Sequence, residues 1–158
     1  MALGYRIDSG SPIERPLLLK LMQQCYQELY PQPDVSHLES TVDRYLSVAT
    51  PLWFAKLADA NPSSQQSPIG CLWMGNATDQ IAGRPTAYIF LLYVMPHYRR
   101  QGIGTALLRK AEDWAKTRGD RQIGLQVFLD NEHAFHLYEK LGYHTQSLWM
   151  VKNLGEES

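Results

Sequence analysis

The run Ala87-Tyr-Ile-Phe-Leu-Leu-Tyr-Val94, followed by Met95-Pro-His-Tyr-Arg-Arg-Gln-Gly-Ile-Gly-Thr-Ala-Leu-Leu108, decides the fold. The first eight residues are almost continuously apolar. At this length such a run predicts an interior strand buried on both faces. Pro96 closes it. From Gly102 to Arg118, Ile103, Ala106, Leu107, Ala111, Trp114 and Ala115 mostly share one helix face, and Gly119 stops that helix. A strand, a short turn and a helix opening with glycines is a physical recipe for an anion site. The first amides of a helix have no intrahelical partner, and the helix dipole places about half a positive charge there. Gly102 and Gly104 let the backbone approach a phosphate closely. Arg99 and Arg100 add charge at the lip, and Thr105 adds a hydroxyl in the first turn.

Outward from this unit, Tyr5 to Asp8 reads as a first strand, and Ser11-Pro12 as a turn. Helical spacing runs from Leu17 to Tyr30 and ends before Pro31 and Pro33. Ser36 with Glu39 forms a capping-box pattern, predicting a second helix to about Ser47. Leu52–Ala58 and Ile69–Gly75 read as strands joined by the polar, turn-rich stretch Asn61–Pro68. Asp79–Gly83 is another turn. Ile123–Leu129 reads as a second buried strand and Asn131–Leu141 as a helix ended by Gly142. Leu148–Lys152 is the expected last strand. This order predicts one α/β domain over residues 1–158, with a mixed sheet and the last two strand–helix pairs parallel and adjacent.

The composition narrows the partners. A chain of 158 residues with 44% apolar residues suits one compact domain. Fifteen basic and sixteen acidic residues give a net charge of -1, which argues against nucleic-acid binding. Arg99-Arg100 and Arg109-Lys110 are too few for a duplex but sufficient for a few phosphates. Cys25 and Cys71 form no C-x-x-C and have no metal-ligand spacing, so no metal is expected. Two free thiols fit a reducing, cytoplasmic setting. The start MALGYRIDSG has neither the apolar run nor the basic lead of a signal peptide or anchor. No segment approaches the roughly 20 apolar residues of a spanning helix, so no membrane partner is expected.

Three phosphate motifs compete for the glycine loop. A Walker A loop needs Gly-Lys-Ser/Thr after its spacer, which this chain lacks. A dinucleotide fingerprint needs a third glycine or alanine where Leu107 stands, and belongs to a first βαβ unit. The remaining choice is an acyl-CoA loop. Val94 to Leu108 resembles motif A of the GNAT superfamily of N-acetyltransferases, whose core Arg/Gln-x-x-Gly-x-Gly/Ala is matched by Arg99, Gly102 and Gly104. The resemblance continues through Asn131-Glu-His-Ala-Phe-His-Leu-Tyr138-Glu-Lys-Leu-Gly-Tyr143 and is specific from about Leu91 to Tyr143.

The resemblance implies the GNAT acyl-CoA N-acyltransferase fold, with six to seven strands, about four helices and a splayed parallel central pair. It implies acetyl-CoA as co-substrate. Leu92, Tyr93 and Val94 would present backbone groups to pantetheine, with the Val94 amide at the thioester carbonyl. Amides from Gln101 through Gly102, Ile103 and Gly104 to Thr105 would cradle the pyrophosphate, with Arg99 and Arg100 beside them. Asn131 would hydrogen-bond the pantetheine arm. Tyr138 would protonate the departing sulfur; a phenol, with a reference pKa of about 10, can donate at neutral pH. Asn131 and Tyr138, seven apart, fall on one helix face.

The family's usual base, a strand glutamate, is missing. Ala87–Val94 contains no carboxylate, and Gln126 stands five before Asn131. His97, Glu132, His133 or a water chain to bulk remain candidates, and the alternative is an amine that arrives already deprotonated. Cys25 and Cys71 read as core thiols, so direct attack by the amine is expected rather than an acyl-enzyme. In the first two helices and nearby, Tyr26, Tyr30, His37, Tyr45, Trp53, Trp73 and Tyr93 are candidates to wall an acceptor pocket or to pack the core. Asp34 or Glu28 is a candidate to hold an ammonium. The acceptor is therefore read as a small molecule, amino acid or peptide N-terminus, and a homodimer is left open. The alternative is a non-catalytic acyl-CoA-binding module or sensor. Tyr138 favours the enzyme.

Overall fold

The computed structural model describes residues 4–31, 33–58 and 67–155. The predicted loop Asn61–Pro68 lies outside them except for Ser67 and Pro68. The chain divides into two compact units, Met1–Gln126 and Val127–Ser158.

The first unit carries one five-stranded sheet: β1 (Tyr5–Ser9), β2 (Leu52–Leu57), β3 (Gly70–Thr78), β4 (Pro85–Val94) and β5 (Ile123–Leu125). Spatial order follows chain order. The first four strands are antiparallel, and β4 pairs parallel with β5. Three helices belong to this unit: α1 (Arg15–Leu29), α2 (Leu38–Tyr45) and α3 (Ile103–Arg118). Leu18, Leu21 and Met22 of α1 and Leu38 and Val42 of α2 pack on Phe54, Cys71, Trp73, Leu91 and Tyr93. Ile103, Leu107, Leu108 and Ala111 of α3 are buried too, and α3 contacts β2, β3 and β4. Leu72 and Met74 alternate with Cys71 and Trp73, so they occupy the opposite sheet face.

The expected capping box does not form. The N-cap of α2 is His37, without a side-chain bond. Asp34 competes for Ser36: its Oδ1 accepts from the Ser36 amide at 3.0 Å and from the Ser36 hydroxyl at 2.6 Å. A local turn of this kind is the usual rival to a cap. The helix ends at Tyr45 rather than Ser47 because Leu46 turns extended while its amide still reaches Val42.

Strand β4 is interior, but it is not equally buried on both faces. Ala87, Ile89, Leu91 and Tyr93 are buried, and Tyr88, Phe90, Leu92 and Val94 are half-buried. Its ladder with β3 shifts register: Trp73 faces Leu91, but Met74 faces Ile89. Phe90 is thus the extra residue of a β-bulge. The bulge leaves Phe90 and Leu91 both against the core beneath α1 and α2. Gly75 makes room for it, since a Cβ there would stand 1.9 Å from the Phe90 ring. Trp73, Tyr45 and Tyr88 hold that ring with centroids at 4.7, 5.1 and 5.3 Å, so it cannot swing away cheaply. Gly75→Val is expected to destabilise the fold by about 1–3 kcal/mol as an overpacked core site, checked by urea unfolding.

The parallel ladder joins only Ala87 to Ile123, Tyr88 to Gly124 and Ile89 to Leu125. It stops where the bulge begins. The predicted second strand, Ile123–Leu129, is therefore cut to Ile123–Leu125, and its residues are half-buried rather than buried. Asp120 anchors the start of this pairing: its carboxylate accepts from the Ala87 amide at 2.8 Å and from Arg118 at 2.6 Å. The Arg118 hydrogen bonds hold that carboxyl below the usual carboxylate range.

The second unit contains α4 (Glu132–Lys140). Asn131 caps its start, accepting from the Ala134 amide at 3.4 Å. Gly142 ends it with φ 98, the Tyr143 amide reaching Tyr138 O and the Gly142 amide reaching Glu139 O. This is the Schellman arrangement, and Gly119 closes α3 in the same way. The expected last strand, Leu148–Lys152, does not form, and the described residues hold five strands rather than six or seven. An apolar run becomes a strand only where a ladder partner exists, and this one has none among the described residues. No helix among the described residues is long and apolar enough to cross a membrane.

Candidate active site

The end of β4 is a sheet edge that β5 leaves unpaired. Beyond Ile89, β5 no longer pairs with it. The Met95 amide donates to Ile69 O at 2.8 Å. In an antiparallel ladder, hydrogen-bonded and non-bonded pairs alternate. Tyr93 with Cys71 is therefore a bonded pair. Leu92 opposite Leu72 and Val94 opposite Gly70 are non-bonded pairs. The N–H and C=O of Leu92 and Val94 thus point away from β3, towards the edge that β5 has left. Such an edge accepts an extended ligand as an added strand.

The glycine loop follows directly. After the 3-10 turn Pro96–Tyr98, Arg99 is extended. Arg100 has φ 65 and Gly102 has φ 83, both left-handed. These two reversals bring the chain to the first turn of α3. No side chain caps that helix. Its first amides, on Ile103, Gly104 and Thr105, precede the first helical hydrogen bond, from Ala106 to Gly102 O at 2.9 Å. A Cβ built on Gly102 meets nothing within 4 Å, so open space lies in front of the helix start. Gln101 Oε1 is shielded and has no hydrogen-bond partner among the described residues. Phosphate oxygens fit these uncapped amides, and an extended amide-bearing arm fits the adjoining edge.

Arg99 does not stand loose at the lip. Its Nε donates to Val94 O at 2.8 Å and its Nη2 donates to Glu28 Oε1 at 2.6 Å. The guanidinium lies 5.7 Å from the Tyr93 ring centroid. The buried Tyr93 hydroxyl donates to Glu28 Oε2. Desolvation first, then the Glu28 bond, pushes the Tyr93 phenol well above its ordinary value. Each Glu28 oxygen thus accepts one hydrogen bond from the residues around the strand end. Only a helix acid without a local basic partner, in the last turn of α1, signalled this in the sequence.

The other sequence candidates disperse. Trp53 and Trp73 are core residues. Tyr26, Tyr30 and His37 cluster at the start of the α1–α2 connection, with centroids 5.9 and 5.7 Å from Tyr26. His97 is exposed and stands edge-on to Tyr98. Asp34 is turned to Ser36. Burial pushes the Cys25 thiol up to about 11, with Glu28 adding to the shift, and total burial pushes Cys71 up further. Asn131 and Tyr138 lie in the second unit, at the cap and in the last turns of α4, with Glu132 and His133 exposed in its first turn.

The model of the acetyltransferase (GNAT) family matches residues 16–143. This chain belongs to the GNAT family. The match takes in the open edge, the glycine loop and α4. An uncharacterized N-acetyltransferase of Methanocaldococcus jannaschii is 38% identical over 89 residues, covering 53% of this chain and 38% of that relative. The matched part is thus well under two thirds of that relative's length. An aminoglycoside N(6')-acetyltransferase type 1 of Acinetobacter genomosp. 13 is 30% identical over 132 residues, 80% of this chain and 86% of the other. Among solved structures, the aminoglycoside N-acetyltransferase AAC(6')-Iy in complex with CoA superposes with a TM-score of 0.71 over 98% of this chain and 97% of that one. At 16% identity, that likeness concerns the fold.

Proposed function

We propose that this GNAT protein transfers an acetyl group from acetyl-CoA to a primary amine by direct attack. The observation that carries the reading is the open edge at Leu92 and Val94, joined by one 3-10 turn and a short loop to the uncapped helix start after Gly102. Acetyl-CoA has a diphosphate for the second and an extended pantetheine arm for the first. In this reading the Val94 amide meets the thioester carbonyl, and the amides of Gln101 to Thr105, with Arg100, hold the diphosphate. A fixed N–H aimed at the developing oxyanion is the main source of acceleration in such acyl transfers. Asn131 Oδ1 serves the α4 cap, which leaves its amide NH2 as the donor to the pantetheine arm. Tyr138 protonates the leaving sulfur. The family match spans both compact units, which supports reading residues 1–158 as one working domain.

The acceptor is a small-molecule amine. The aminoglycoside acetyltransferases among the relatives support this class, and they make aminoglycosides the first compounds to assay. The test is acetyl-CoA thermal shift followed by thiol release across amines: aminoglycosides, amino acids and peptide N-termini. Turnover on one amine class supports the enzyme. Binding with no turnover on any of them favours the module or sensor.

The thiols make a covalent route unfavourable, since both remain protonated at neutral pH. Incubation with acetyl-CoA alone at pH 7.5 is expected to leave the intact mass unchanged. A stable gain of one acetyl group on Cys25 would replace direct attack with a two-step route.

A further inference from the structure

A carboxylate from α1, Glu28, stands beside the end of β4. Glu28 reaches Tyr93 across 65 residues of sequence and reaches Arg99 across 71. Three side chains and one backbone carbonyl then form a closed ring: Val94 O to Arg99, Arg99 to Glu28, Glu28 to Tyr93, and Tyr93 back to Val94 through the chain. Its position is informative. Glu28 is the penultimate residue of α1, and no basic residue lies in that last turn. A negative charge there opposes the helix dipole and weakens the helix. Burial of Tyr93 explains why its hydroxyl has a partner, but a neutral acceptor would serve that need. It does not explain a carboxylate that also engages Arg99, nor why Arg99 bonds Val94 O.

We infer that Glu28 is a positioning residue for acetyl transfer, acting through Arg99 and Tyr93 to fix the end of β4 against α1. The inference rests on the acetyltransferase reading above. Its consequence is specific. Val94 presents both N–H and C=O to the open edge. Arg99 holds the C=O, and the N–H is the group that can donate to a thioester carbonyl. The same Arg99 opens the glycine loop, so one side chain joins α1, the strand end and that loop. Glu28 is held between a cation and a phenol donor and takes no proton in the reaction.

The test uses the full chain and the best amine from the panel. Glu28→Gln should lower kcat about tenfold with the KM for acetyl-CoA within about twofold, since the loop amides are untouched. The pH profile of kcat should keep its shape. Arg99→Gln should lose at least as much, and the double variant should be no worse than the poorer single variant, as for one connected device. Amide hydrogen exchange over Leu92–Gln101 should rise in Glu28→Gln. Tyr93→Phe, which keeps the Glu28–Arg99 pair, provides a second variant if Glu28→Gln folds poorly. It should show the same direction with a smaller loss.

Unchanged kcat and exchange in Glu28→Gln would overturn the assignment, as would strictly additive losses. Loss of a limb of the pH profile would overturn it in favour of proton transfer by Glu28. If the unmodified chain neither binds acetyl-CoA nor turns over any amine, the acetyltransferase reading falls, and with it the role in transfer. The exchange comparison would still report whether Glu28 holds the strand end.

Discussion

Gly102→Glu should cost about a hundredfold or more in acetyl-CoA affinity, roughly 2.7 kcal/mol, while the fold survives. The two effects separate because of where Gly102 sits. Its φ of 83 is left-handed, so any other residue there costs about 1–2 kcal/mol of backbone strain. A Cβ there meets no neighbour within 4 Å, so no clash adds to that strain. Arg100, at φ 65, already adopts a comparable conformation without being glycine. A glutamate, however, sets a negative charge in front of the uncapped amides of α3, where the diphosphate would lie. Gly102→Ala isolates the strain and should fall between the two. Titration calorimetry with acetyl-CoA reads the affinity, and thermal unfolding reads the fold. Binding of Gly102→Glu within about threefold of the unmodified chain would remove the diphosphate from this loop.

Tyr138→Phe should lower kcat about a hundredfold, within the usual range for losing a general acid, and leave the KM for acetyl-CoA nearly unchanged. The hydroxyl is the only group removed, so the ring keeps its tilted contact with Tyr143, whose centroid is 5.8 Å away. The Schellman closure of α4 uses the backbone of Tyr138, not its hydroxyl, and should be intact. A loss confined to kcat is the mark of an interaction made only in the transition state. Acyl donors with better leaving groups should narrow the gap, because a good leaving thiolate needs less protonation. Equal turnover in Tyr138→Phe and the unmodified chain would end its role as acid.

The donor loop was legible from residue types. Gly102, Gly119 and Gly142 stand where the backbone is left-handed, and only glycine takes that conformation without strain. The order of strands and helices up to β4 was legible from apolar periodicity, because burial of one face leaves that trace. The capping box at Ser36 was misread because a hydroxyl can turn to a nearer acceptor, and Asp34 was two residues away.

Three features came only from the tertiary structure. The bulge at Phe90 depends on Gly75 of the neighbouring strand leaving space for a ring. The pairing of β5 stops where that bulge begins, so an apolar run to Leu129 was not enough to make a strand. The meeting of Glu28 with Tyr93 and Arg99 depends on how α1 lies on the sheet. The sequence by itself determined the glycine loop and the strand that precedes it, since both follow from what adjacent residues permit the backbone to do. The open edge and its tie to α1 were decided by packing between residues far apart in the chain, where each pairing exists only because the others hold it in place.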